Sequence, residues 1–461
     1  MCHQTGGGDF PVKTTPNLRE RLAALPESLV LILRRLRSAG HEAYLVGGCV
    51  RDLLRGFLPV DYDIVTSAAP EEVTSLFPHT IPVGISFGVV LVIKDEKKYE
   101  VATFRTEEGY LDGRRPAQVV YATAEEDVKR RDFTINGLLL DPETGRVLDY
   151  VGGCADVAHR LVRTIGDPRQ RFSEDHLRLL RAVRFAANLD YEIDAATLKA
   201  IKNNAAAIRR ISAERIREEL TKIIARPGAR RGMELLAETG LLKEILPEVQ
   251  ALAGIEQPPL FHPEGDVWEH TLVMLNLLPV EGVDPRLAWG VLLHDVGKAV
   301  TRTVDTKGVH FYGHVKRGEE IARQIMERLR FSCADLEMVL ALIHSHMLFM
   351  HVKEMRPSRL KRFLRIPDFH HHLELHRLDC LGSHGMLDNY EFCRAKLTEI
   401  PAEELRPPRL LTGHHLIDMG FKPGPLFAKI LHEVEDAQLN GLISSEGEAM
   451  RLVIDHWGAQ T

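Results

Sequence analysis

Residues 45–63 read Leu-Val-Gly-Gly-Cys-Val-Arg-Asp-Leu-Leu-Arg-Gly-Phe-Leu-Pro-Val-Asp-Tyr-Asp. An apolar strand end runs into a glycine pair, which lets the backbone approach a phosphate closely, and Arg51 can make charge-assisted contacts with that phosphate. Asp61 and Asp63 would project from one face of an extended segment, because strand side chains alternate with a period of two. Two carboxylates this close repel each other unless a cation lies between them. Since Mg²⁺ is bound through one or two carboxylates plus substrate phosphates, the stretch predicts a metal–nucleotide site.

The bulk composition indicates a soluble protein of several domains. A chain of 461 residues predicts two to four domains, and 44% hydrophobic with 27% charged residues is typical of globular proteins. The apolar run Leu29–Leu33 is followed directly by two arginines and is too short for a membrane span, which takes about 20 apolar residues. There is no secretory pattern at the N-terminus, and six cysteines without CxxC spacing favour reduced thiols. We therefore expect a cytoplasmic protein with no membrane partner.

The net charge of −6 conceals a basic region. Between Arg160 and Arg231 the sequence holds 17 Lys and Arg against 9 Asp and Glu. A basic stretch inside an acidic chain favours contact with a polyanion, although arginine-rich helices are also often only solvated faces.

Hydrophobic periodicity predicts an α+β multidomain fold, with a small mixed α/β head followed by all-helical regions. Helices are expected at 28–39 and 50–54, and strands at 43–46, 89–93, 99–104, 137–140 and 147–150. From Ser173 onward a helical pattern takes over, in which Leu177, Leu180, Val183 and Ala187 share a face. We expect a flexible tail at 1–27, the head at 28–155, a helical neck at 156–255, a third region at 256–355 and a helical C-terminal tail at 356–461.

Three further segments carry candidate site residues. The predicted strand Tyr99–Phe104 places Glu100 beside the two aspartates, where a third carboxylate could complete a metal pair. Arg130-Arg-Asp-Phe-Thr-Ile-Asn136 lies just before an apolar strand. In the segment Glu174–Arg184, Asp175 and three arginines recur at helical spacings of three.

These segments, in this order, resemble the class II tRNA nucleotidyltransferase/poly(A) polymerase family of the polymerase β superfamily over about residues 28–250. The resemblance implies that Asp61 and Asp63, with Glu100 as a candidate third ligand, hold two Mg²⁺ ions for in-line phosphoryl transfer. It also implies a set of nucleotide-binding residues. These are Gly48 and Arg51 for the triphosphate, Arg131 as an assisting group, and Asp175 and Arg178 for the base, supported by Arg181 and Arg184.

The proposed base reading makes chemical sense. A carboxylate accepts a hydrogen bond from an exocyclic amine and a guanidinium donates to ring acceptors, so Asp175 and Arg178 suit C and A rather than G or U. The simpler alternative for Arg181 and Arg184 is salt bridging, and Glu100 could merely pair with Arg105.

The segment 105–119 is rich in glycine and charge and predicts a mobile loop. In the resembled family this loop is implicated in adding the terminal A, and enzymes that add only CC lack an intact one. Glu108–Asp112 and Arg114–Pro116 are present here, which disfavours a pure CC-adding enzyme. Complete CCA addition to tRNA with CTP and ATP, A addition alone and poly(A) synthesis on RNA 3′ ends remain open, as does a non-catalytic RNA-binding protein.

A second group of residues, His270 in Trp268-Glu-His-Thr271 and His294-Asp295 in Leu293-His-Asp-Val-Gly-Lys298, resembles the HD phosphohydrolase superfamily. His314, His344 or His346, and Asp379 fall where two-metal members carry further ligands, and of the two alternatives we favour His346. Histidine with carboxylate suits Mn, Ni, Fe, Zn or similar ions, which lower the pKa of a bound water for attack on a phosphoester. The alternative is a retained structural module. The run His370–His372, with His376, is interpreted as solvated polar residues.

Overall fold

A mixed β-sheet organises the N-terminal half of the chain in the computed structural model, which describes residues 16–84, 88–110, 116–259, 262–306 and 308–458. The strands are β1 (Ala43–Val46), β2 (Asp63–Thr66), β3 (Thr80–Gly84), β4 (Val89–Lys94), β5 (Lys97–Thr103), β6 (Arg105–Tyr110), β7 (Pro116–Tyr121), β8 (Leu138–Leu140), β9 (Val147–Asp149), β10 (Leu161–Val162), β11 (Glu192–Ile193), β12 (Thr303–Asp305) and β13 (Gly308–His310). Seven of them form one sheet in the order β3-β4-β5-β2-β1-β8-β9, in which only the β2–β5 pair is parallel.

Helices make up most of the remaining chain. They are α1 (Pro16–Ala23), α2 (Glu27–Ser38), α3 (Gly48–Arg55), α4 (Pro70–Leu76), α5 (Ala124–Lys129), α6 (Gly153–Ala158), α7 (Pro168–Glu174), α8 (Arg178–Leu189), α9 (Ala195–Asn204), α10 (Ala213–Ile224), α11 (Ala229–Glu238), α12 (Leu241–Ile245), α13 (Pro247–Gln250), α14 (Val267–Asn276), α15 (Pro285–Leu293), α16 (Lys298–Thr301), α17 (His314–Arg328), α18 (Cys333–Ser345), α19 (Pro357–Leu364), α20 (Phe369–Gly382), α21 (Asp388–Glu399), α22 (Ala402–Leu405), α23 (Gly413–Asp418), α24 (Pro425–Leu439) and α25 (Glu446–Trp457). The predicted α+β architecture is therefore confirmed, apart from two short strand pairs, β10–β11 and β12–β13, within the helical regions.

The chain divides into two units, Met1–Pro247 and Glu248–Thr461. The finer division into head, neck, third region and tail stays a prediction. Helix α1 lies within the segment that the sequence predicted as a flexible tail, and its Leu18 is buried.

The strands predicted at 43–46, 89–93, 99–104, 137–140 and 147–150 are confirmed as β1, β4, β5, β8 and β9. Strand β2, which begins at Asp63, was missed, as was β3. The prediction of a loop across 105–119 was wrong at both flanks, because β6 and β7 pair as an antiparallel hairpin with Arg105 opposite Tyr121. Residues 111–115, which include part of the two quoted loop motifs, lie outside the described residues.

Apolar periodicity explains how the first unit packs. Helix α2 buries Leu29, Ile32, Leu33 and Leu36, which recur at helical spacing, and it packs against β1. In α8 and the turn before it, the predicted face of Leu177, Leu180, Val183 and Ala187 is buried. The sheet itself packs through a cluster of Val46, Val65, Phe104, Ala124, Val128 and Leu139.

In the second unit, one helical stretch, Cys333–Glu354, is long and apolar enough to cross a membrane by length and composition alone. Its α18 portion packs against α15, α17 and α20, and Val339, Leu342 and Ile343 are fully buried there. Those contacts account for its apolarity, so we assign it to the core of this unit.

Candidate active site and metal centre

The turn between β1 and α3 brings the predicted site residues of the head together. Gly47 has φ +76°, a conformation that side-chain-bearing residues rarely adopt. A Cβ atom at Gly47 would lie 3.9 Å from both Asp63 Oδ2 and Arg131 Nη1. The turn also presents the first backbone N–H groups of α3, and helix N-termini favour anions. The resemblance implied that Gly48, the first residue of α3, binds the triphosphate, and that role stays a prediction. The turn itself requires glycine at Gly47, which only the Gly-Gly pair signalled in the sequence.

Asp63 and Glu100 form the carboxylate centre of this site. The parallel register of β2 and β5 sets them directly opposite each other, and Asp61 precedes Asp63 by two residues. Desolvation raises the pKa of Asp63, the neighbouring Glu100 and Asp61 carboxylates raise it further, and Arg131 opposes them. A divalent cation would relieve this repulsion, and hard divalent cations are bound through carboxylate oxygens, so these carboxylates fit a divalent cation.

Arg131 is held at this turn by a buried carboxylate. Its Nε and Nη2 donate to Asp127 Oδ2 at 3.1 and 2.9 Å, while Arg130 pairs with the other oxygen of Asp127. Burial would raise the pKa of Asp127, but the charges of Arg131 and Arg130 hold it below its ordinary value. The guanidinium edge of Arg131 that faces Gly47 is therefore fixed in place.

Arg51 makes internal contacts in the described structure. It is buried, its Nη1 donates to Asn136 Oδ1 at 2.8 Å, and its Nε donates to Asp52 Oδ1 at 3.0 Å. These bonds tie α3 to the segment before β8. The role that the resemblance implied for Arg51, contact with a triphosphate, stays a prediction.

Asp175 lies outside the helical row that the spacing predicted. Its backbone is extended between α7 and α8, and its Oδ1 accepts a hydrogen bond from the Leu177 N–H at 3.0 Å. Arg215 Nη2 donates to Asp175 Oδ2 at 2.8 Å. Arg178, the first residue of α8, pairs with Glu174 Oε2 at 2.5 Å. Both candidate base-reading side chains are thus oriented by a partner, and sequence analysis missed Arg215.

Arg181 and Arg184 each form a salt bridge, which was the simpler alternative for them. Arg181 pairs with Asp132 and Arg184 with Glu219, both at 2.5 Å. Burial would raise the pKa of Asp132, but the Arg181 charge and hydrogen bond lower it to about 2. These pairs anchor α8 to the head and to α10.

The second unit gathers the predicted HD residues from three helices and from the segments that follow two others. They are His270 in α14, His294 and Asp295 after α15, His314 at the start of α17, His346 after α18, and Asp379 in α20. The loop that carries Asp295 approaches α17 closely, since a Cβ at Gly297 would lie 2.1 Å from the carbonyl oxygen of His314. Glycine is therefore required at that position.

All four histidines present the same ring nitrogen to the cluster. The Nδ1 atoms of His294, His314 and His346 lie 2.9, 2.8 and 2.6 Å from the carbonyl oxygens of Val291, Phe311 and Ile343. The Nδ1 of His270 lies 2.7 Å from Glu264 Oε1. A carbonyl oxygen only accepts, so in His294, His314 and His346 Nδ1 must carry the proton and Nε2 is left with its lone pair. Such an outer hydrogen bond is what orients metal-binding histidines.

These Nε2 atoms are buried and lack a hydrogen-bond partner within the described part of the chain. The Nε2 atom of His294 lies 3.2 Å from Asp295 Oδ2, whereas those of His314 and His346 lie 3.7 and 3.9 Å from Oδ1. One donor group combines His270, His294 and Asp379, and another combines Asp295, His314 and His346. Orphaned buried imidazoles facing carboxylates fit a transition-metal ion, and Asp295 turns one oxygen toward each group.

Burial and neighbouring charges shift the pKa values of the histidines in this cluster. Burial would lower the pKa of His270, but Asp379 and Glu264 raise it to about 9. Burial and the neighbouring His294 lower the pKa of His346 to about 4. Lys298 Nζ lies 2.7 Å from Asp295 Oδ2 and donates to Gln257 Oε1 at 2.7 Å. Sequence analysis missed Glu264 and the contact of Lys298 with Asp295, although His262-Pro-Glu264 and the lysine of the HD motif stand in the printed sequence.

The structure separates the two candidate histidines near 345. His346 joins the cluster, whereas His344 is exposed and its Nδ1 contacts Glu319 at 2.8 Å. The interpretation of the 370–376 run as solvated was wrong for two members. His372 is buried, and its Nδ1 lies 2.5 Å from Ser345 Oγ. His376 is also buried, and its ring stacks on that of Phe349. Both pack inside the unit, and neither belongs to a metal-type group among the described residues.

Three family models match the chain. They are the poly A polymerase head domain at residues 43–163, the probable RNA and SrmB-binding site of polymerase A at 190–252, and the HD domain at 267–371. The matched ranges contain the Gly47 turn with its carboxylates, and the HD cluster except for Asp379. Fold and site together define a nucleotidyltransferase with an appended HD domain.

Relatives that align over nearly the whole of both chains identify the family within this class. The CCA-adding enzyme of Lactobacillus johnsonii is 32% identical over 429 residues, covering 93% of this chain and 95% of that enzyme. The enzyme of Streptococcus gordonii is 34% identical over 441 residues, covering 93% and 98%. The crystal structure of the Bacillus stearothermophilus CCA-adding enzyme in complex with CTP matches with a TM-score of 0.72 at 27% identity, covering 97% of this chain and 99% of that one. This chain belongs to the family of CCA-adding enzymes.

Proposed function

We propose that this chain adds CMP and AMP from CTP and ATP to the 3′ end of tRNA, without a nucleic-acid template, at the site around Gly47, Asp63 and Glu100. The single observation that carries the proposal is the convergence of Asp63 Oδ2 and Arg131 Nη1 on the Gly47 turn, with Glu100 opposite Asp63. The turn offers backbone N–H groups and a cation to phosphates, while the carboxylates offer oxygens to a metal. Full-length relatives named as CCA-adding enzymes support the choice of reaction over A addition alone or poly(A) synthesis.

Each group in this site has a part in transfer. Asp61, Asp63 and Glu100 would hold Mg²⁺, which supplies neutralisation of the triphosphate and activation of the attacking 3′-hydroxyl. Arg131, fixed by Asp127, would contact phosphate at the Gly47 turn. Arg51 would act with Gly48 to support the same turn, since its bond to Asn136 fixes the first helix after β1.

Nucleotide choice would depend on the pair at the start of α8. Asp175 would accept from the exocyclic amine of cytosine or adenine, and Arg178 would donate to a ring acceptor. Arg215 and Glu174 already hold these two side chains in place, so less conformational entropy is lost when the base binds. Arg181 and Arg184 would support the pair by anchoring α8.

RNA would be held mainly through its phosphates. The basic region 160–231 overlaps the matched RNA-binding model at 190–252. Binding of this kind depends on salt and carries little sequence information. We place the activity in the cytoplasm, where its tRNA substrate resides.

One assay tests the reaction. Purified protein with Mg²⁺ is given labelled CTP or ATP and tRNA transcripts ending in the discriminator base, in C and in CC, beside an unrelated RNA. We expect CTP incorporation at the first two ends and ATP incorporation at the third. ATP incorporation alone would favour A addition, long A tails on the unrelated RNA would favour poly(A) synthesis, and no incorporation would overturn the nucleotidyltransferase proposal.

A second function is favoured by the HD cluster. The four orphaned Nε2 atoms and two carboxylates would hold a transition-metal ion such as Mn, Ni or Fe, and the bound metal supplies an activated water for phosphoester hydrolysis. We propose a phosphohydrolase that acts on terminal or 2′,3′-cyclic phosphates at damaged RNA ends. Metal analysis of the purified protein, followed by hydrolysis of 2′,3′-cAMP with each candidate ion, tests it; a protein that binds no transition metal would leave this domain a structural module.

A further inference from the structure

The loop between α3 and Asp61 exposes three apolar side chains within four residues. Phe57, Leu58 and Val60 are 59%, 55% and 94% exposed, and we call them the Phe57 ridge. Val60 is the residue immediately before Asp61. Apolar residues that stand clustered at the surface mark an interaction site more often than isolated ones do. The ridge therefore adjoins the transfer site and has no function assigned to it so far.

The Phe57 ring is supported by a cation. The Arg55 guanidinium lies 5.1 Å from the ring centroid of Phe57 and 5.5 Å from that of Tyr191. Arg55 Nη2 also donates to the carbonyl oxygen of Leu189 at 3.3 Å. Cation–π contacts of this kind stabilise a ring orientation. Arg55 thus contacts the Phe57 ring, while 59% of this side chain stays exposed at the surface.

A cavity of about 540 Å³ opens beside the ring. Its lining includes Arg55, Phe57, Arg160 and Tyr191, and the volume falls in the range of pockets that take a small ligand. Arg160 is 70% exposed and pairs with Asp190, itself 93% exposed, at 3.6 Å. Such an exposed pair contributes little stability, so a phosphate could replace Asp190 at small cost.

We propose that the Phe57 ridge and this cavity form a docking surface for an unpaired nucleotide near the 3′ end of the RNA substrate. The base stacks on Phe57, and Arg160 contacts a neighbouring phosphate. Three observations select RNA as the occupant: an aromatic face, a cation within reach, and direct continuity with Asp61. Stacking on an aromatic side chain accepts every base, which suits an enzyme that must take many tRNA sequences. The inference rests on the proposed function and adds a contact for the acceptor strand outside the nucleotide site.

Steady-state kinetics test the surface, using the wild-type protein and tRNA ending in the discriminator base. We expect Phe57→Ala to raise the KM for tRNA about tenfold, because base–aromatic stacking contributes about 1–3 kcal/mol per base. The KM for CTP should stay unchanged, and Phe57→Tyr should keep wild-type behaviour because it retains the ring. Leu442→Ala, in the second unit and 75% exposed, is the matched control for loss of an exposed apolar side chain.

A second measurement tests the phosphate contact. Fluorescence anisotropy at several salt concentrations gives the slope of log K for tRNA binding against log salt concentration. We expect Arg160→Ala to reduce the magnitude of this slope by about one. An unchanged tRNA KM in Phe57→Ala would overturn the proposal, as would an equal rise in the CTP KM. A dimer that becomes a monomer in Phe57→Ala, with tRNA KM unchanged, would assign the ridge to self-association instead. Failure of the wild-type protein to add nucleotides would refute the proposed function, which is a distinguishable result.

Discussion

Asp63 and Glu100 stand directly opposite each other on the two parallel strands of an otherwise antiparallel sheet. The geometry forces two carboxylates together, and the pKa of Asp63 is raised by desolvation and by that neighbour. A divalent cation bound between the two carboxylates would offset this repulsion.

Replacing Asp63 should lower the rate of nucleotide addition without lowering the thermal stability of the protein. We expect Asp63→Asn to lower kcat for CTP incorporation by about 10³-fold or more, because charge stabilisation by a held metal contributes several kcal/mol to the barrier. Without Mg²⁺ its melting temperature should equal or exceed that of the wild type, since the substitution removes the repulsion. Incorporation assays and circular dichroism measure the two effects. A variant that retained full activity would contradict the assignment of Asp63.

Arg215 offers a way to test nucleotide choice without changing Asp175 or Arg178, the candidate base-reading residues. Its guanidinium holds the Asp175 carboxylate at 2.8 Å. We expect Arg215→Ala to weaken discrimination of CTP against UTP, measured as the ratio of kcat/KM values, by about 5- to 100-fold. Arg215→Lys should restore part of the ratio. A uniform fall for every nucleotide would indicate that Arg215 supports the fold only.

Local motifs made much of this molecule predictable. The strand at 43–46, the glycine pair and the two aspartates are contiguous in sequence, so their chemistry could be inferred before any contact was known. The same holds for His294-Asp295. The expectation that Glu100 lies beside the aspartates is confirmed. The parallel direction and register of β2 and β5 could not be inferred, because these strands pair across an intervening helix and two strands.

The sequence alone gave little basis for deciding which of two neighbouring residues takes a given structural role. Whether His344 or His346 faces the HD cluster depends on backbone geometry at the end of α18, and the positive φ of Gly47 depends on that at the start of α3. The internal partners of Arg51, Asn136 and Asp52, are visible only in three dimensions, and the predicted contact of Arg51 with a triphosphate stays a prediction. The 105–119 segment has loop-like composition, yet strand pairing with a neighbour overrode that preference.

The HD cluster should be separable from nucleotide addition. We expect the double variant His294→Ala with Asp295→Ala to lose bound transition metal, measured by plasma mass spectrometry, together with hydrolysis of 2′,3′-cAMP. CTP incorporation should remain within about twofold of wild type, because these residues lie in the other unit. His344→Ala is the control, since that exposed histidine contacts Glu319 rather than the cluster. Loss of both activities together would mean that the two chemistries are coupled.

Glu264 should tune the metal site through His270. Its Oε1 accepts from His270 Nδ1 at 2.7 Å, and an outer carboxylate of this kind fixes the ring and strengthens the ligand. We expect Glu264→Gln to weaken metal affinity by about 10- to 100-fold while leaving nucleotide addition unchanged. Competition with a chelator measures the affinity. Equal retention of metal in variant and wild type would show that Glu264 is not needed to orient His270.

The Asp132–Arg181 salt bridge should make the attachment of α8 to the head sensitive to acid. The pKa of Asp132 is lowered to about 2, so its stabilising effect is present above the unfolded value near 4 and is lost as the pH falls from about 4 to 2. That shift corresponds to about 2 kcal/mol of stability at neutral pH.

Hydrogen–deuterium exchange of the α8 amides is the suitable measurement. Tryptophan fluorescence would report on the second unit instead, because all three tryptophans lie there. We expect Asp132→Asn to speed exchange of α8 amides about 30-fold at pH 7, with a smaller effect near pH 3 after correction for intrinsic exchange. Glu143→Gln, which removes the exposed partner of Arg34, should change exchange little at either pH. A difference between Asp132→Asn and wild type that persisted undiminished near pH 3 would show that packing, rather than the carboxylate charge, anchors α8 to the head.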